Sequence, residues 1–340
     1  MTHGAGTSRV RVLVSGANGF IGRALCPLLA ADGVVVRGLV RGEPAASAVR
    51  AGIELAWADD LTDRPAIKRA MEGVDAVVHL AARVHAAADR STDPLAEYRR
   101  TNVEGTRVLL ECAMAARVRT FVLASTVKAV GEGNTVPWTE ATPPAPVDPY
   151  GVSKLEAEHL VRKAARAGTL HAPVLRLPLM YGPGMKANML RLFDHVARGT
   201  PLPLGGIENR RSLLYVGNLC AAIRTVLVPR AATNATFFLS DGRDVSTPEL
   251  VRLIAAALAR PARLIRVPSS VFRVAGRLGD LLGPVLPLPL TSSVVQRLLG
   301  SLSVDPSAFI RATGFHAPYS VEVGLTATAE WFRKRRTGAL

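Results

Sequence analysis

The sequence is short of cysteine, of aromatic residues and of long apolar runs, and each shortage narrows the possible functions. Its three cysteines, Cys26, Cys112 and Cys220, lie far apart without a CxxC pair, which favours a reducing compartment and a packing role for the thiols. Aromatic residues make up only 5% of the chain, too few for the base-stacking surfaces of nucleic-acid binding, so no nucleic-acid partner is expected. Apolar runs are always interrupted before they could span a bilayer, so no integral membrane segment is expected.

Metal-binding patterns and an apolar leader are also missing. Glu156 and His159 share a helix face without further ligands, so no metal is expected. The amino terminus, MTHGAGTSRVRVLVSG, has no apolar segment before the first predicted strand, and the expected location is the cytoplasm. The apolar stretch at residues 271–290 is predicted to be a core helix followed by a loop, with a membrane-surface helix as the alternative.

Acidic residues are scarce relative to basic ones. The chain has 27 Asp and Glu against 42 Lys and Arg, a formal net charge of +15. Such an excess attracts anionic partners over long range. An anionic small molecule is therefore the expected partner.

Apolar runs that alternate with amphipathic stretches predict an α/β fold. Strands are predicted at 10–16, 34–40, 53–58, 75–82, 119–125 and 172–178, with helices at 63–72, 94–117 and 150–167. Continuous apolar strands separated by helices indicate a parallel sheet covered on both faces. The pairs Asp93-Pro94, Thr247-Pro248 and Asp305-Pro306 predict helix starts with a capping side chain before proline. After residue 178 the alternation stops, which predicts a smaller carboxyl-terminal lobe.

A glycine-rich turn, GANGFIG, follows the first predicted strand. Gly16, Gly19 and Gly22 permit a tight turn and close approach of backbone to phosphate, and the following helix offers free N–H groups. At the first strand–helix turn of an alternating chain this pattern is typical of dinucleotide binding. The residues expected to contact the cofactor here are Gly16, Asn18, Gly19, Phe20, Ile21 and Gly22.

The second strand ends in Val40 and Arg41 where an acid would accept a ribose 2′-hydroxyl. Arg41, with Arg37 as a second candidate, suits a 2′-phosphate. NADP is therefore favoured, and NAD remains possible because Glu43 lies slightly further along the chain.

Tyr150 and Lys154 are four residues apart in PYGVSK and so lie on one helix face. A lysine beside a phenol favours the phenolate, so a lowered tyrosine pKa is expected, as proton transfer requires. The pair alone occurs often by chance.

An ordered set of motifs resolves this ambiguity, since the chain resembles an extended short-chain dehydrogenase/reductase of the nucleotide-sugar epimerase/dehydratase/reductase family. The motifs include GANGFIG, WADDLTD, VVHLAARVH, NVEGT, LASTVKAVGE, PYGVSK, LRLPLMYGPG, NRRSLLYVGNL and SLSVDPS. The resemblance implies a Rossmann domain at residues 8–178 with returning segments near 212–240. It implies a UDP-sugar lobe at 179–211 and 241–336, and a homodimer formed by the helices at 94–117 and 150–167.

The resemblance also assigns roles to residues. Tyr150 and Lys154 match the catalytic pair, and Thr126 matches the hydroxyl that binds the sugar oxygen, with Ser125 as the alternative. Asp60 and Leu61 match residues that flank adenine, and Asn102 one that holds helix and strand together. Leu80, Ala81, Ala82 and Pro178 match positions beside the nicotinamide half. The residues expected to bind substrate are Thr126, Lys128, Asn188, Arg211 and Arg297.

Departures from the family pattern reduce the number of reactions that the resemblance implies. Dehydratases carry an acid pair after the hydroxyl, and Thr126-Val127-Lys128 contains none, so dehydration is not expected. The expected activity is NADPH-dependent reduction of a UDP-4-keto-6-deoxy-N-acetylhexosamine for a surface polysaccharide. The alternative is a UDP-hexose or UDP-N-acetylhexosamine 4-epimerase with bound NAD. A non-catalytic redox sensor is a remote alternative, since such proteins usually lose the tyrosine or the lysine.

Overall fold

Seven parallel strands form the main sheet. The computed structural model describes residues 9–42, 52–84, 93–168, 170–230, 233–282 and 291–338. The strands of this sheet are β1 (Arg11–Ser15), β2 (Val35–Arg41), β3 (Ile53–Ala58), β4 (Ala76–His79), β5 (Thr120–Thr126), β6 (Val174–Leu177) and β9 (Thr236–Phe238). Their order is β3-β2-β1-β4-β5-β6-β9, with every neighbouring pair parallel. The order reverses between β1 and β4, where a doubly wound sheet leaves a ligand crevice at its carboxyl edge. The predicted Rossmann fold is confirmed.

Alternation along the strands sends side chains into two apolar cores. Val12 and Val14 of β1 join one core, whereas Leu13 joins the core on the opposite face. Helices cover both faces, which explains the uninterrupted apolar strands. The covering helices are α1 (Phe20–Ala31), α2 (Arg64–Ala70), α3 (Pro94–Tyr98), α4 (Gly105–Ala115), α5 (Pro149–Arg166), α7 (Val216–Val226) and α11 (Ser307–Thr313).

A three-stranded sheet and its helices form the smaller lobe. Its strands are β7 (Leu179–Tyr181), β8 (Arg211–Tyr215) and β10 (Asp244–Val245), in the order β10-β8-β7. A separate apolar core, with Phe193 and Phe332 at its centre, packs this sheet against helices. The lobe helices are α6 (Ala187–Ala197), α8 (Thr247–Ala257), α9 (Ser269–Leu282), α10 (Ser292–Leu299) and α12 (Val321–Arg336).

The boundaries between the large domain and the smaller lobe differ from the predicted ones. The segment predicted to return to the large domain includes β8, which instead belongs to the small sheet. In the opposite direction, Phe309 of α11 lies within the predicted lobe range but packs on Phe237 of β9, with ring centroids 5.4 Å apart. The lobe is therefore held to the large sheet by α11 as well as by α7.

Two of the predicted helix starts are wrong by one residue. Asp93 caps α3 as expected and accepts from the N–H of Ala96. Ser246, rather than Thr247, caps α8, because Glu249 completes a reciprocal capping box with it. Asp305 accepts from the N–H of Ser307 in a local turn, and α11 starts only after Pro306.

The helix predicted at 94–117 is divided by a π-helical turn at Arg99–Glu104. Such turns add a residue to the helical repeat and are frequent at functional sites. Here the turn contains Asn102, which is buried. The sequence pattern, which has a helical period on both sides, gives no sign of the insertion.

The core prediction for residues 271–290 is wrong for the part that the structure describes. The helix α9 buries Phe272 and two glycines, whereas all of its valines and leucines are exposed. Residues 283–290 lie outside the described residues. None of the helices in the described segments is long and apolar enough to cross a membrane.

A buried ion pair joins α5 to β6. The guanidinium of Arg176 donates to both carboxylate oxygens of Glu158 at 2.8 and 3.1 Å, and both side chains are almost fully buried. Arg176 also lies over the ring of Phe238 at 5.3 Å. Removing one partner of such a pair leaves an uncompensated buried charge.

Arg176→Met should therefore reduce the free energy of unfolding by about 3–5 kcal/mol, whereas Arg176→Met combined with Glu158→Gln should recover part of this loss. Denaturant unfolding of the wild type and the variants measures the difference. If the double variant is as unstable as the single one, the unpaired carboxylate is not the cause.

Candidate functional site

The glycine turn between β1 and α1 is too tightly packed for side chains. Gly16 has φ +73°, and a Cβ added at Gly22 would lie 2.4 Å from the carbonyl oxygen of Gly16. A Cβ at Gly16 would meet the backbone of Ala81 at 3.0 Å, so the turn touches the end of β4. The first turn of α1 has no side-chain cap from Gly19, which leaves backbone N–H groups for a ligand. A dinucleotide pyrophosphate fits this turn. Asn18, Phe20 and Ile21 lie in the same turn and are partly or fully exposed.

Arg41 is exposed at the carboxyl end of β2, opposite Ala58 of β3. This is the position expected for a residue that contacts the adenosine ribose. Arg37, the second candidate, is wrong for that role. Its guanidinium pairs with Glu54 at 2.9 Å and donates to the carbonyls of Ala70 and Glu72. Glu43 lies outside the described residues.

Asp60 and Leu61 follow β3 and face the start of α4. The carboxylate of Asp60 pairs with Arg100 at 3.0 Å and accepts from Thr62. Leu61 lies where a Cβ on Gly105 would be, only 2.7 Å from its own Cβ. These contacts hold the loop after β3 against the segment at the start of α4.

Asn102 ties the end of β4 to α5. Its side chain accepts from the N–H of Arg83 at 2.8 Å and donates to the carbonyl of the same residue at 3.1 Å. It also donates to the Ser153 hydroxyl at 2.9 Å. The segment Leu80–Ala82, which is half-buried, therefore has a set distance from the helix that contains Tyr150 and Lys154.

A buried histidine beneath this segment was not identified from the sequence. His79 Nδ1 lies 2.7 Å from the Ser15 hydroxyl, and Nε2 lies 2.9 Å from the Thr106 hydroxyl. Because Thr106 donates to the carbonyl of Asn102, its oxygen must accept from Nε2–H. Ser15 then donates to Nδ1 and accepts from the N–H groups of Leu80 and Ala81.

Burial, reinforced by the nearby Lys154 cation, lowers the pKa of His79 to about 3. The imidazole is therefore neutral and structural. Its network holds β1, β4 and α4 in register at the crevice. Because it joins three segments that are distant in the sequence, no local pattern could have revealed it.

Tyr150 and Thr126 meet at the carboxyl edge of the sheet. Tyr150 lies in the first turn of α5, and its phenol hydrogen-bonds with the Thr126 hydroxyl. Burial raises the pKa of Tyr150, and the Thr126 bond offsets only part of this rise. The expected lowering of the pKa is thus wrong for this structure, in which Tyr150 is a neutral phenol. Pro178 follows Leu177, the β6 residue paired with Thr126, so it borders the same edge.

Lys154 lies one turn further along α5 and is 2% exposed. Burial lowers the pKa of its ammonium to about 8, although the Glu158 carboxylate acts in the opposite direction. The cation therefore persists at neutral pH at a desolvation cost. Glu158, at the next turn, supplies the countercharge.

Ser125 is not placed to replace Thr126. Its hydroxyl donates to Glu158 at 2.6 Å inside the core. Successive residues of a strand point to opposite faces, so only one of the two can face Tyr150. The structure assigns Ser125 to the Glu158–Arg176 pair.

Lys128 lies between two carboxylates beside the start of α5. Its ammonium is 2.8 Å from Glu132 and 2.5 Å from Asp148. Asp148 also caps α5 by accepting from the N–H of Gly151. Lys128 therefore fixes the loop after β5 against the start of α5. Any contact of Lys128 with a substrate stays a prediction.

The other predicted substrate residues lie in the lobe. Arg211 of β8 is partly buried and donates to the carbonyls of Arg297 and Gly300, the latter at 3.0 Å. Arg297 is exposed near the end of α10, so these two predicted residues are neighbours. Asn188 is exposed in the first turn of α6, and no contact places it with them.

Both the sequence and the fold of this chain are similar to those of known proteins. The model of the NAD dependent epimerase/dehydratase family matches residues 12–237. A UDP-glucose 4-epimerase from Vibrio cholerae is 34% identical over 326 residues, with 94% of this chain and 95% of that protein covered. An N-acetyl-alpha-D-glucosaminyl-diphospho-ditrans,octacis-undecaprenol 4-epimerase from Escherichia coli O157:H7 is 26% identical, with 94% of both chains covered. The solved structure of MoeE5 in complex with UDP-glucose and NAD has a TM-score of 0.74 at 26% identity, covering 96% of this chain and 99% of that one.

The lowered pKa of Lys154 has a measurable consequence for stability. Between the folded pKa of about 8 and the unfolded value of 10.5, the unfolded chain binds the extra proton. The contribution of this residue to stability should therefore rise with pH, by up to ~1.4 kcal/mol per pH unit above pH 8. Lys154→Met removes this pH dependence. The free energy of unfolding of the variant, relative to that of the wild type, should therefore fall between pH 8 and pH 10. Denaturant unfolding across this range measures it, and a pH-independent difference would contradict it.

Proposed function

Because the chain belongs to the NAD-dependent epimerase/dehydratase family, we propose that it reduces the 4-keto group of a UDP-4-keto-6-deoxy-N-acetylhexosamine with NADPH. Family membership makes the chain an NAD(P)-dependent enzyme of nucleotide-sugar metabolism. The direction of the reaction, the sugar and the phosphorylated form of the cofactor are the proposal.

The residues of the crevice can hold a dinucleotide. The cradle at Gly16 and Gly22 excludes side chains, as close approach of a pyrophosphate requires. The loop at Asp60 and Leu61 would border the adenine, and the backbone at Ala81 the nicotinamide half. When bound, the reduced cofactor supplies a hydride to the sugar carbon.

The residues around Tyr150 supply the matching proton. Reduction of a ketone requires one proton at the oxygen for each hydride added to the carbon. The Tyr150 phenol, protonated in this structure, donates that proton to the oxygen at position 4. Thr126 holds the same oxygen, and the Lys154 cation stabilises the phenolate that remains. Neutral His79 avoids a second positive charge beside Lys154.

The observation that carries the choice of a reductase is Arg41. An exposed guanidinium at the end of β2 favours a 2′-phosphate, and a net reductase consumes NADPH. Lys128, paired with Asp148 and Glu132, follows Thr126 where dehydratases carry an acid. Dehydration is therefore not proposed.

A 4-epimerase with bound NAD is the second candidate. The 34% identity to the UDP-glucose 4-epimerase favours it, as does the likeness to the structure that contains UDP-glucose and NAD. Epimerisation would also use Tyr150, first as base and then as acid. The cofactor separates the candidates: NAD that copurifies and is regenerated indicates epimerisation, whereas stoichiometric consumption of NADPH indicates reduction.

Tyr150→Phe should lower turnover of a UDP-4-keto sugar by a factor of roughly 100 or more, because only the proton-transfer oxygen is lost. Dinucleotide affinity should be preserved. Oxidation of NADPH, followed by absorbance, measures turnover. Tyr319→Phe, at an exposed ring of the lobe, is the matched control and should retain activity. Equal activity of the two variants would remove Tyr150 from the mechanism.

Arg41→Asp should reverse cofactor preference from NADPH to NADH, since a carboxylate accepts from a 2′-hydroxyl and repels a phosphate. Calorimetric titration of both reduced cofactors measures this. Arg191→Asp makes the same charge change at an exposed position of α6 and should leave the preference unchanged. Tighter binding of NADH by the wild type would contradict the phosphate assignment and favour the epimerase.

A further inference from the structure

The helix α9 has an apolar face that no other described element covers. Its side chains are 45 to 74% exposed, and all five lie on one side of the helix. We call this set the apolar stripe; it comprises Val271, Val274, Leu278, Leu281 and Leu282. Scattered exposed aliphatic residues are ordinary, but five along fourteen residues form a continuous surface.

The attachment of α9 to the lobe uses a different side of the helix. Phe272, Gly276 and Gly279 are its buried residues. Gly276 lies against Val295 and Ser292 of α10, and the Asp280 carboxylate accepts from the N–H of Ser292 at 3.2 Å. The apolar stripe is therefore free of the packing that holds the helix in place.

Positive charge borders the apolar stripe. Arg273 and Arg277 are exposed on the third side of α9, one helical turn apart. Arg263 and Arg266, in the segment that leads into the helix, are exposed as well. Asp280 is the acidic residue of α9, and its carboxylate is engaged with α10.

We propose that α9 docks this protein onto an anionic lipid surface, with the apolar stripe in the interface and the arginines on the headgroups. An amphipathic helix with aliphatic residues on one face and basic residues beside it has the composition of an interfacial helix. Arginine stems can lie along the apolar surface while their guanidinium groups reach phosphates. The net charge of +15 acts in the same direction.

A second copy of this chain fits the surface less well. Pairing two such helices would bring four or more arginines together, and the carboxylate of Asp280 is already engaged. An acidic lipid surface instead supplies the opposite charge. The inference does not depend on the proposed reaction, because α9 contains none of the residues assigned to the cofactor or to proton transfer.

The surface is connected to the substrate lobe. The partner helix α10 ends at the carbonyls that accept from Arg211, the residue predicted to bind the diphosphate. The apolar stripe and the proposed diphosphate-binding residue are therefore linked through α10.

Co-sedimentation of the full chain with vesicles tests the proposal. The probes are vesicles of phosphatidylcholine alone and of phosphatidylcholine with phosphatidylglycerol. The wild type should bind the anionic vesicles, and added salt should weaken the binding. Val274→Glu with Leu278→Glu should reduce the partition coefficient at least ~10-fold. Arg273→Ser with Arg277→Ser should reduce it by a similar factor, because each arginine contributes about 1 kcal/mol at an anionic surface.

The matched control is Val228→Glu with Val323→Glu, two valines of similar exposure in the bend after α7 and in α12, with the same change in charge. It should bind like the wild type. Thermal unfolding checks that every variant is folded. Absence of binding by the wild type, or equal losses in the stripe variant and the control, would overturn the proposal. Light scattering that shows a dimer lost only in the stripe variant would also overturn it and identify a second copy as the occupant.

Discussion

The burial of one ammonium group, that of Lys154, organises the centre of this molecule. A lysine that is 2% exposed loses nearly all of its hydration, and its pKa falls to about 8 as a result. The Glu158 carboxylate, one turn away on α5, favours the cation and opposes the effect of burial. Glu158 is itself fully buried and requires the fork of Arg176. The charges of Lys154, Glu158 and Arg176 thus follow one another from α5 to β6, with an ion pair between Glu158 and Arg176.

The same constraint explains the neutral imidazole beside it. A protonated His79 would place a second buried cation near Lys154, and both burial and Lys154 lower its pKa. The hydroxyls of Ser15 and Thr106 fix one tautomer and leave no ring nitrogen for catalysis. His79, Ser15 and Thr106 are thus occupied with one another, and Tyr150 at the edge of the sheet is the proposed proton donor.

Local patterns predicted the parts of the site that depend on a single segment. The glycines after β1 and the residues at strand ends follow from spacing, because a strand–helix turn and a parallel sheet place them at one edge. Alternation along β5 could also have excluded Ser125, since Thr126 and Ser125 must face opposite sides. The π-helical turn at Asn102 and the His79 network could not be predicted, because each depends on contacts between distant segments. The apolar stretch at 271–290 predicted a helix in the region of α9, but the sequence alone does not say which side of a helix another element covers.

The residues proposed for the cofactor and for proton transfer lie in a different part of the chain from those proposed to bind the diphosphate. The cofactor cradle, Thr126, Tyr150 and Lys154 all belong to the large sheet and its covering helices, where two cores set their positions. Arg211 lies at the start of β8, and the carbonyls that accept from it lie at the end of α10 and just after it. Changes in α9 and α10 are therefore made at a distance in the chain from the proposed proton donor. The proposed hydride transfer at a sugar carbon is compatible with a sugar attached to a soluble nucleotide and with one attached to a membrane-bound group. The two cases would differ in whether the exposed face of α9 is used.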